Sequence, residues 1–243
     1  MEKVLRELTP LQEEGDDSRY MTPVIETINL NKSYRLGKQE VPVLKNVNFK
    51  VNQGDYVAIM GHSGAGKSTL LNILGCLDIP SSGEYRITGT EISTLSQNQL
   101  AEIRSTEIGF VFQNFNLLPK LNLYLNVELP LIYGNVNASE RKPRIERVLK
   151  MLDIWDRRHH KPNELSGGQK QRAAIARALV KKPSIILADE PTGNLDSHTT
   201  GEILNVFSTL HSEGNTILVI THEDEVAAKA QRTIRLDDGR IVG

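Results

Sequence analysis

Four short apolar runs stand out along the chain: Tyr56–Met60, Ile108–Phe112, Ile185–Ala188 and Ile217–Ile220. None alternates polar with apolar positions, so none reserves a face for water. Strands buried on both faces read this way, and they occur in parallel sheets covered by helices. Helical segments lie between the runs. Lys67–Leu77 follows the first, Gly167–Lys181 precedes the third and Thr199–His211 follows it. In Ser139–Leu152, the residues Ile145, Val148, Leu149 and Leu152 recur at i, i+3, i+4 and i+7, giving one apolar face. Two partly alternating pieces, Val24–Leu30 and Val41–Val51, read as strands ahead of the first run. The alternation of strand and helix predicts an α/β fold with a mainly parallel core sheet.

Polar residues follow each run directly: Gly61 and a glycine-rich loop, then Gln113, then Asp189–Glu190, then Thr221–His222. Ligands of open α/β sheets bind just beyond the carboxyl ends of the strands. The pattern therefore gathers Lys67, Gln113, Asp189, Glu190 and His222 at one sheet edge.

The segment Gly61-His62-Ser63-Gly64-Ala65-Gly66-Lys67-Ser68 fits G-x-x-x-x-G-K-S/T, with a strand before it and a helix after it. Its glycines let the backbone wrap tightly, so that N–H groups from about Ser63 to Ser68 face phosphate oxygens. The helix beginning near Lys67 adds its positive end. Lys67 is expected at the β- and γ-phosphates, Ser68 on Mg²⁺ and Thr69 on the α-phosphate. An acid pair ending a buried strand needs a cation, and Mg²⁺ held by Ser68 and Asp189 supplies one. Glu190 is then placed for general base work on an attacking water. A second helix start lies at Leu165-Ser166-Gly167-Gly168-Gln169, with Ser166 as N-cap and open amides behind it.

Composition narrows the class. The chain has 243 residues, 29 Lys plus Arg against 30 Asp plus Glu, and one cysteine, Cys76. That size supports a core without disulfides or metals. The formal charge of −1 lacks the basic excess of a generic nucleic-acid binder. The longest stretch free of Asp, Glu, Lys and Arg is Ile108–Pro119, 12 residues, too short to span a bilayer. Residues 1–22 are acidic and polar and read as a mobile extension, and the charged start is not a secretory signal.

LSGGQ at 165–169, with the phosphate loop and the acid strand, resembles the nucleotide-binding subunits of ABC transporters over about Val24 to Val242. The segments LNILGCLD, GFVFQNFNLLP, NVELPL and KPNELSGGQ are similar to the branch containing the macrolide exporter MacB and the lipoprotein-release ATPase LolD. The resemblance implies a P-loop ATPase domain over 23–243, with a small antiparallel β subdomain and a helical subdomain over about 114–182. It places Tyr34 on adenine and the loop Gly61, Ser63, Gly64, Ala65, Gly66, Lys67, Ser68 and Thr69 on the phosphates. It puts Gln113 on Mg²⁺ and the attacking water, Asp196 in the D-loop and His222 on the γ-phosphate. Ser166, Gly168 and Gln169 would face the ATP of a second subunit. The implied assembly is an ATP-dependent homodimer driving a separate membrane permease, with a periplasmic adaptor as a further partner and no nucleic acid. Part of Asn114–Leu131 would form the permease groove, and the protein would sit in the cytoplasm on the inner face of the membrane. Efflux or lipid and lipoprotein handling is the expected transport role. The alternative is a regulator like FtsE, in which the ATPase moves a membrane partner that controls cell-wall enzymes. A DNA-repair ATPase would need a long coiled coil between phosphate loop and signature, where only 99 positions separate Lys67 from Ser166.

Overall fold

The computed structural model describes residues 23–37 and 39–242; the expectation for 1–22 lies outside the described residues. Five strands run parallel in one sheet. They are β3 (Tyr56–Met60), β6 (Ile108–Phe112), β7 (Ile185–Asp189), β8 (Ile217–Thr221) and β9 (Arg232–Asp237), in the order β9-β3-β8-β7-β6. A short β10 (Arg240–Ile241) turns back antiparallel on β9. Successive side chains of a strand point to opposite faces, and the core divides accordingly. Tyr56, Ala58, Ile186 and Ala188 join one apolar cluster; Val57, Ile59, Ile185 and Leu187 join the other. The unbroken apolar runs are thus explained: both faces of these strands are covered.

A second sheet is antiparallel, in the order β2-β1-β4-β5, from β1 (Ile25–Leu36), β2 (Gln39–Val51), β4 (Ser82–Ile87) and β5 (Thr90–Glu91). Strand β1 continues well past Leu30, where alternation stops being readable. Its pairing with β2 shifts register between Thr27 and Leu30, again before Lys32 and again before Ser33, and Asn29 takes φ 47°. Each irregularity resets the two-residue period on which the sequence reading depends.

Helix α1 (Lys67–Leu74) leaves β3 through the glycine loop and packs Leu70, Leu71, Ile73 and Leu74 into the cluster beneath the antiparallel sheet. It ends three residues before the expected Leu77, because Gly75 caps it and Cys76 adopts a left-handed φ of 54°. Burial pushes the Cys76 thiol up to about 12, so it behaves as a packed apolar group. Helix α2 (Gln97–Thr106) follows the antiparallel sheet. On the other face lie α3 (Leu123–Tyr133), α4 (Ala138–Met151), α5 (Gly167–Leu179) and α6 (Ser197–Ser212). Helix α3 is started by Asn122, whose side chain accepts from the Leu125 N–H. The fully buried Asn126 amide satisfies the turn before it, accepting from Leu118 N–H and donating to the carbonyls of Leu121 and Asn122. Helix α6 begins two residues earlier than its periodicity suggests, because the Asp196 carboxylate caps the Thr199 N–H. A single turn, α7 (Asp224–Ala227), follows β8. Among the described residues, no helix is long and apolar enough to cross a membrane.

Candidate nucleotide site

The loop after β3 is shaped by its glycines and braced from behind. Gly66 takes φ 103°, and a Cβ there would lie 3.0 Å from the Leu44 side chain and 3.2 Å from the Val43 carbonyl, so no other residue fits. Gly61 has the same constraint from another direction, with the Leu236 carbonyl 2.3 Å from where its Cβ would be. Ala65 is buried, and its carbonyl accepts from Gly239 N–H at 3.0 Å. No side chain caps the start of α1. Lys67 lies folded across the loop, its Nζ donating to the carbonyls of Gly61 at 2.6 Å and His62 at 2.9 Å. The result is a positive helix end and a tethered ammonium facing one concavity, the requirement for an anion with several oxygens.

That concavity has a volume of about 670 Å³, within the range of small-molecule sites. Ser63, Gly64, Gly66, Lys67, Ser68 and Thr69 form one wall, and Asp189, Glu190 and His222 form the other. Parallel pairing of β3, β7 and β8 produces this convergence, because all three strands end at the same edge. Asp189 is the last residue of β7. Burial and the neighbouring Glu190 carboxylate hold its carboxyl above the usual range, with the Lys67 ammonium opposing them. Two adjacent carboxylates, both partly buried, thus face a hydroxyl-bearing loop, a donor set that suits a hard divalent cation. Glu190 sits just beyond the strand with φ 43°, its N–H donating to the Ile220 carbonyl at 2.8 Å. Its Oε1 accepts from His222 Nδ1 at 2.8 Å.

Eight of the expected site residues do not line this concavity: Gly61 and Ala65 support the loop from behind, and Tyr34, Gln113, Ser166, Gly168, Gln169 and Asp196 lie elsewhere. Gln113 leaves β6 but turns its amide onto Gly193, where a Cβ would approach the Gln113 Nε2 to 2.6 Å. Asn194 holds this arrangement by donating to the Gln113 carbonyl at 3.1 Å and to Asn114 Oδ1 at 2.9 Å. Ser166 and Gln169 close a reciprocal cap at the start of α5: Ser166 N–H donates to Gln169 Oε1 at 3.0 Å, and Gln169 N–H to Ser166 Oγ at 3.2 Å. Gly168 admits the Thr199 methyl, 2.6 Å from where its Cβ would be. Thr199 in turn donates to Asp196 Oδ2 at 2.7 Å. The signature turn and the start of α6 therefore form one surface, separate from the cleft of their own chain. Tyr34, on β1, donates its hydroxyl to Asp78 Oδ2 at 3.0 Å, with the Lys32 ammonium 5.0 Å from its ring centre.

The sequence reading missed Val43, which lines the cleft from β2, and a contact of His62. His62 Nδ1 donates to the Ser63 carbonyl at 2.6 Å, and Nε2 meets Asp237 Oδ1 at 2.9 Å, from the turn between β9 and β10. No local signal could have found a partner 175 positions away. These two contacts raise the imidazole above its ordinary 6.5, the Ser63 carbonyl contributing most and Asp237 next. The link is therefore fully formed below the ordinary value and is lost as pH rises through the raised one. In Asp237→Asn the His62 titration, followed by NMR, is expected to move back toward 6.5. An unchanged midpoint would show that Ser63 alone sets it.

Comparison with known proteins agrees with this geometry. The family profile described as "ABC transporter" matches residues 44–193. The ABC transporter ATP-binding protein YknY of Bacillus subtilis (strain 168) is 52% identical over 219 residues, covering 90% of this chain and 95% of that protein. The macrolide export ATP-binding/permease protein MacB of Bdellovibrio bacteriovorus is 50% identical over 218 residues, covering 90% of this chain but only 33% of MacB. Among solved structures, a dimeric post-hydrolysis state of the ATP-binding cassette MJ0796 bound to ADP and Pi superposes with a TM-score of 0.81. It is 46% identical, covering 90% of this chain and 97% of that one. A MacB-like sequence, a cassette fold and a phosphate loop facing an acid strand together establish that the chain belongs to the ABC transporter family, as an ATPase subunit.

Proposed function

We propose that two copies of this chain close around two ATP molecules, each phosphate loop facing the partner's signature turn. The observation carrying this reading is the separation described above. The phosphate loop, Asp189, Glu190 and His222 share one cleft, whereas Ser166, Gly168 and Gln169 start a helix on a different surface of the same chain. A signature turn set apart in this way can complete a nucleotide site only in a second copy, and two-fold symmetry then builds two identical sites. The dimeric form of the related cassette supports the same arrangement.

In each site the loop amides and the α1 terminus bind the phosphates, and Lys67 exchanges its two carbonyl partners for phosphate oxygens. Tyr34 stacks on the adenine. Ser68 and Asp189 would hold Mg²⁺, with Gln113 joining them once its amide turns away from Gly193. A cation held there would offset the negative charge on the phosphates, which opposes approach of a nucleophile that is losing its proton. Glu190 takes the water proton on Oε2, because His222 occupies Oε1. The water oxygen bonds to the γ-phosphorus as the bond to the β-phosphate oxygen breaks, and ADP and phosphate leave. His222 fixes the carboxylate in place and approaches the γ-phosphate. Asp196 stands at the facing surfaces of the two copies.

The work is done on a separate permease, for efflux or for lipid and lipoprotein handling, with the ATPase held in the cytoplasm at the inner face of the membrane. The similarity to MacB, a protein described as both ATP-binding and permease, supports a permease as the partner. Affinity purification of the full chain from detergent-solubilised membranes of its own cell tests it. A polytopic membrane protein should be retained and should stimulate ATP hydrolysis. Retention of a membrane protein that moves no substrate in vesicles would favour the regulatory role instead.

A further inference from the structure

Gln171 has an unusual position for a polar side chain. It lies five residues into α5, beyond the signature turn, and is completely buried. Its Nε2 donates at 2.7 Å to the carbonyl of Pro191, the residue after Glu190. Its Oε1 is buried and has no partner among the described residues. If the site required only filled volume, an apolar side chain would fill it with no orphaned acceptor. What the buried amide supplies is its N–H, donated to Pro191.

What that N–H holds is the segment that aims the proposed base. Glu190 occupies a left-handed backbone conformation that a non-glycine residue keeps only when its surroundings over-determine it. In front, its N–H is fixed by the Ile220 carbonyl and its carboxylate by His222. Behind, the chain is held by Gln171 at Pro191 and by Thr192 Oγ1, which donates to Glu223 Oε2 at 3.1 Å. Of these ties, Gln171 is the one that comes from the signature helix.

We propose that Gln171 is a positioning residue for hydrolysis: its amide, clamped on the Pro191 carbonyl, sets the direction of the Glu190 carboxylate and makes that direction depend on where the signature helix sits. It touches neither nucleotide nor water. This rests on the reading of Glu190 as the base. Because each signature turn faces the partner's nucleotide in the proposed dimer, engagement of one site is transmitted along α5 to the base of the other.

The test uses Gln171→Leu and Gln171→Met in the full chain, with ATP turnover, ATP binding and thermal melting measured together. A misplacement of the order of 1 Å costs about 100-fold in rate. The expected result is therefore a kcat lower by about 10- to 100-fold, with KM and ATP affinity within about twofold of the parent. Gln171→Met keeps length and burial, and serves if the leucine variant does not fold. In a Glu190→Gln background the same substitution should lower residual turnover no further, because it acts through a group already removed. Unchanged kcat in folded Gln171→Leu or Gln171→Met would overturn the proposal. So would a loss that multiplies fully with that of Glu190→Gln, which would mark a general packing effect. Normal turnover in Glu190→Gln alone would instead sink the base assignment, a different outcome from either.

Discussion

Replacing Glu190 by Gln lowers ATP turnover by about 10²- to 10⁴-fold, the range for removing a positioned general base. The corresponding barrier increase is about 3–5.5 kcal/mol. Nucleotide binding is expected to survive, because the phosphate contacts come from the loop, Lys67 and the start of α1, on the opposite wall of the cleft. Glutamine keeps the shape of the side chain and can still meet His222, but its amide cannot take the water's proton. A variant that binds without hydrolysing should accumulate as the ATP-bound dimer. Sedimentation with ATP and Mg²⁺ should show dimer for Glu190→Gln and a transient or mixed state for the parent. Turnover near the parental rate would remove Glu190 from the mechanism.

Lys67→Ala acts on the other wall and fails at an earlier step. The ammonium already donates to two loop carbonyls, at 2.6 and 2.9 Å, so it is held where incoming phosphates can capture it. Hydrogen bonds to charged groups contribute about 1.5–3 kcal/mol each. Losing the phosphate partners of this group should weaken ATP binding by about 2–4 kcal/mol, or roughly 30- to 1,000-fold. Calorimetric titration measures it directly. Lys67 also opposes the upward shift of Asp189. In the variant, the Asp189 carboxyl should rise further, so that cation-dependent binding is lost at a higher pH than in the parent. An unchanged ATP affinity would remove Lys67 from the phosphate site.

Both substitutions fall on residues whose placement was legible in the sequence, for a specific reason. Apolar runs covered on both faces announce themselves without alternation, and parallel pairing then brings whatever follows each run to one edge. Asp189, Glu190 and His222 needed no more information than that. Gln113 follows the same rule and still escapes it. Its backbone is where β6 puts it, but the side chain lies against Gly193, 80 positions further along, on a loop that Asn194 ties to the Gln113 backbone carbonyl and the Asn114 side chain. Tyr34 shows a related limit. The bulges of β1 hide its strand, and the ring is oriented by Asp78 and Lys32, neither of which the sequence links to it. Gln171 reads as one more polar residue on an amphipathic helix, and only the fold reveals that it is buried and what it holds. Helix and strand periods report which face is wet; they do not report which distant carbonyl a buried amide will find.

The turn between β9 and β10 carries a consequence for how the protein is made. Gly239 donates to the Ala65 carbonyl, its own carbonyl accepts from Lys45, and Asp237 meets His62. The backing of the phosphate loop thus comes from residues synthesised some 174 positions after the loop itself. At about 5–20 residues per second, that interval is roughly 9–35 s. Throughout it, the nascent loop has its full sequence and lacks its rear support and the partner strand β9 beside β3. Competence to hold a nucleotide therefore arrives with the closing hairpin, and a ribosome-bound chain halted before Arg232 should emerge with the motif written and the site unfinished.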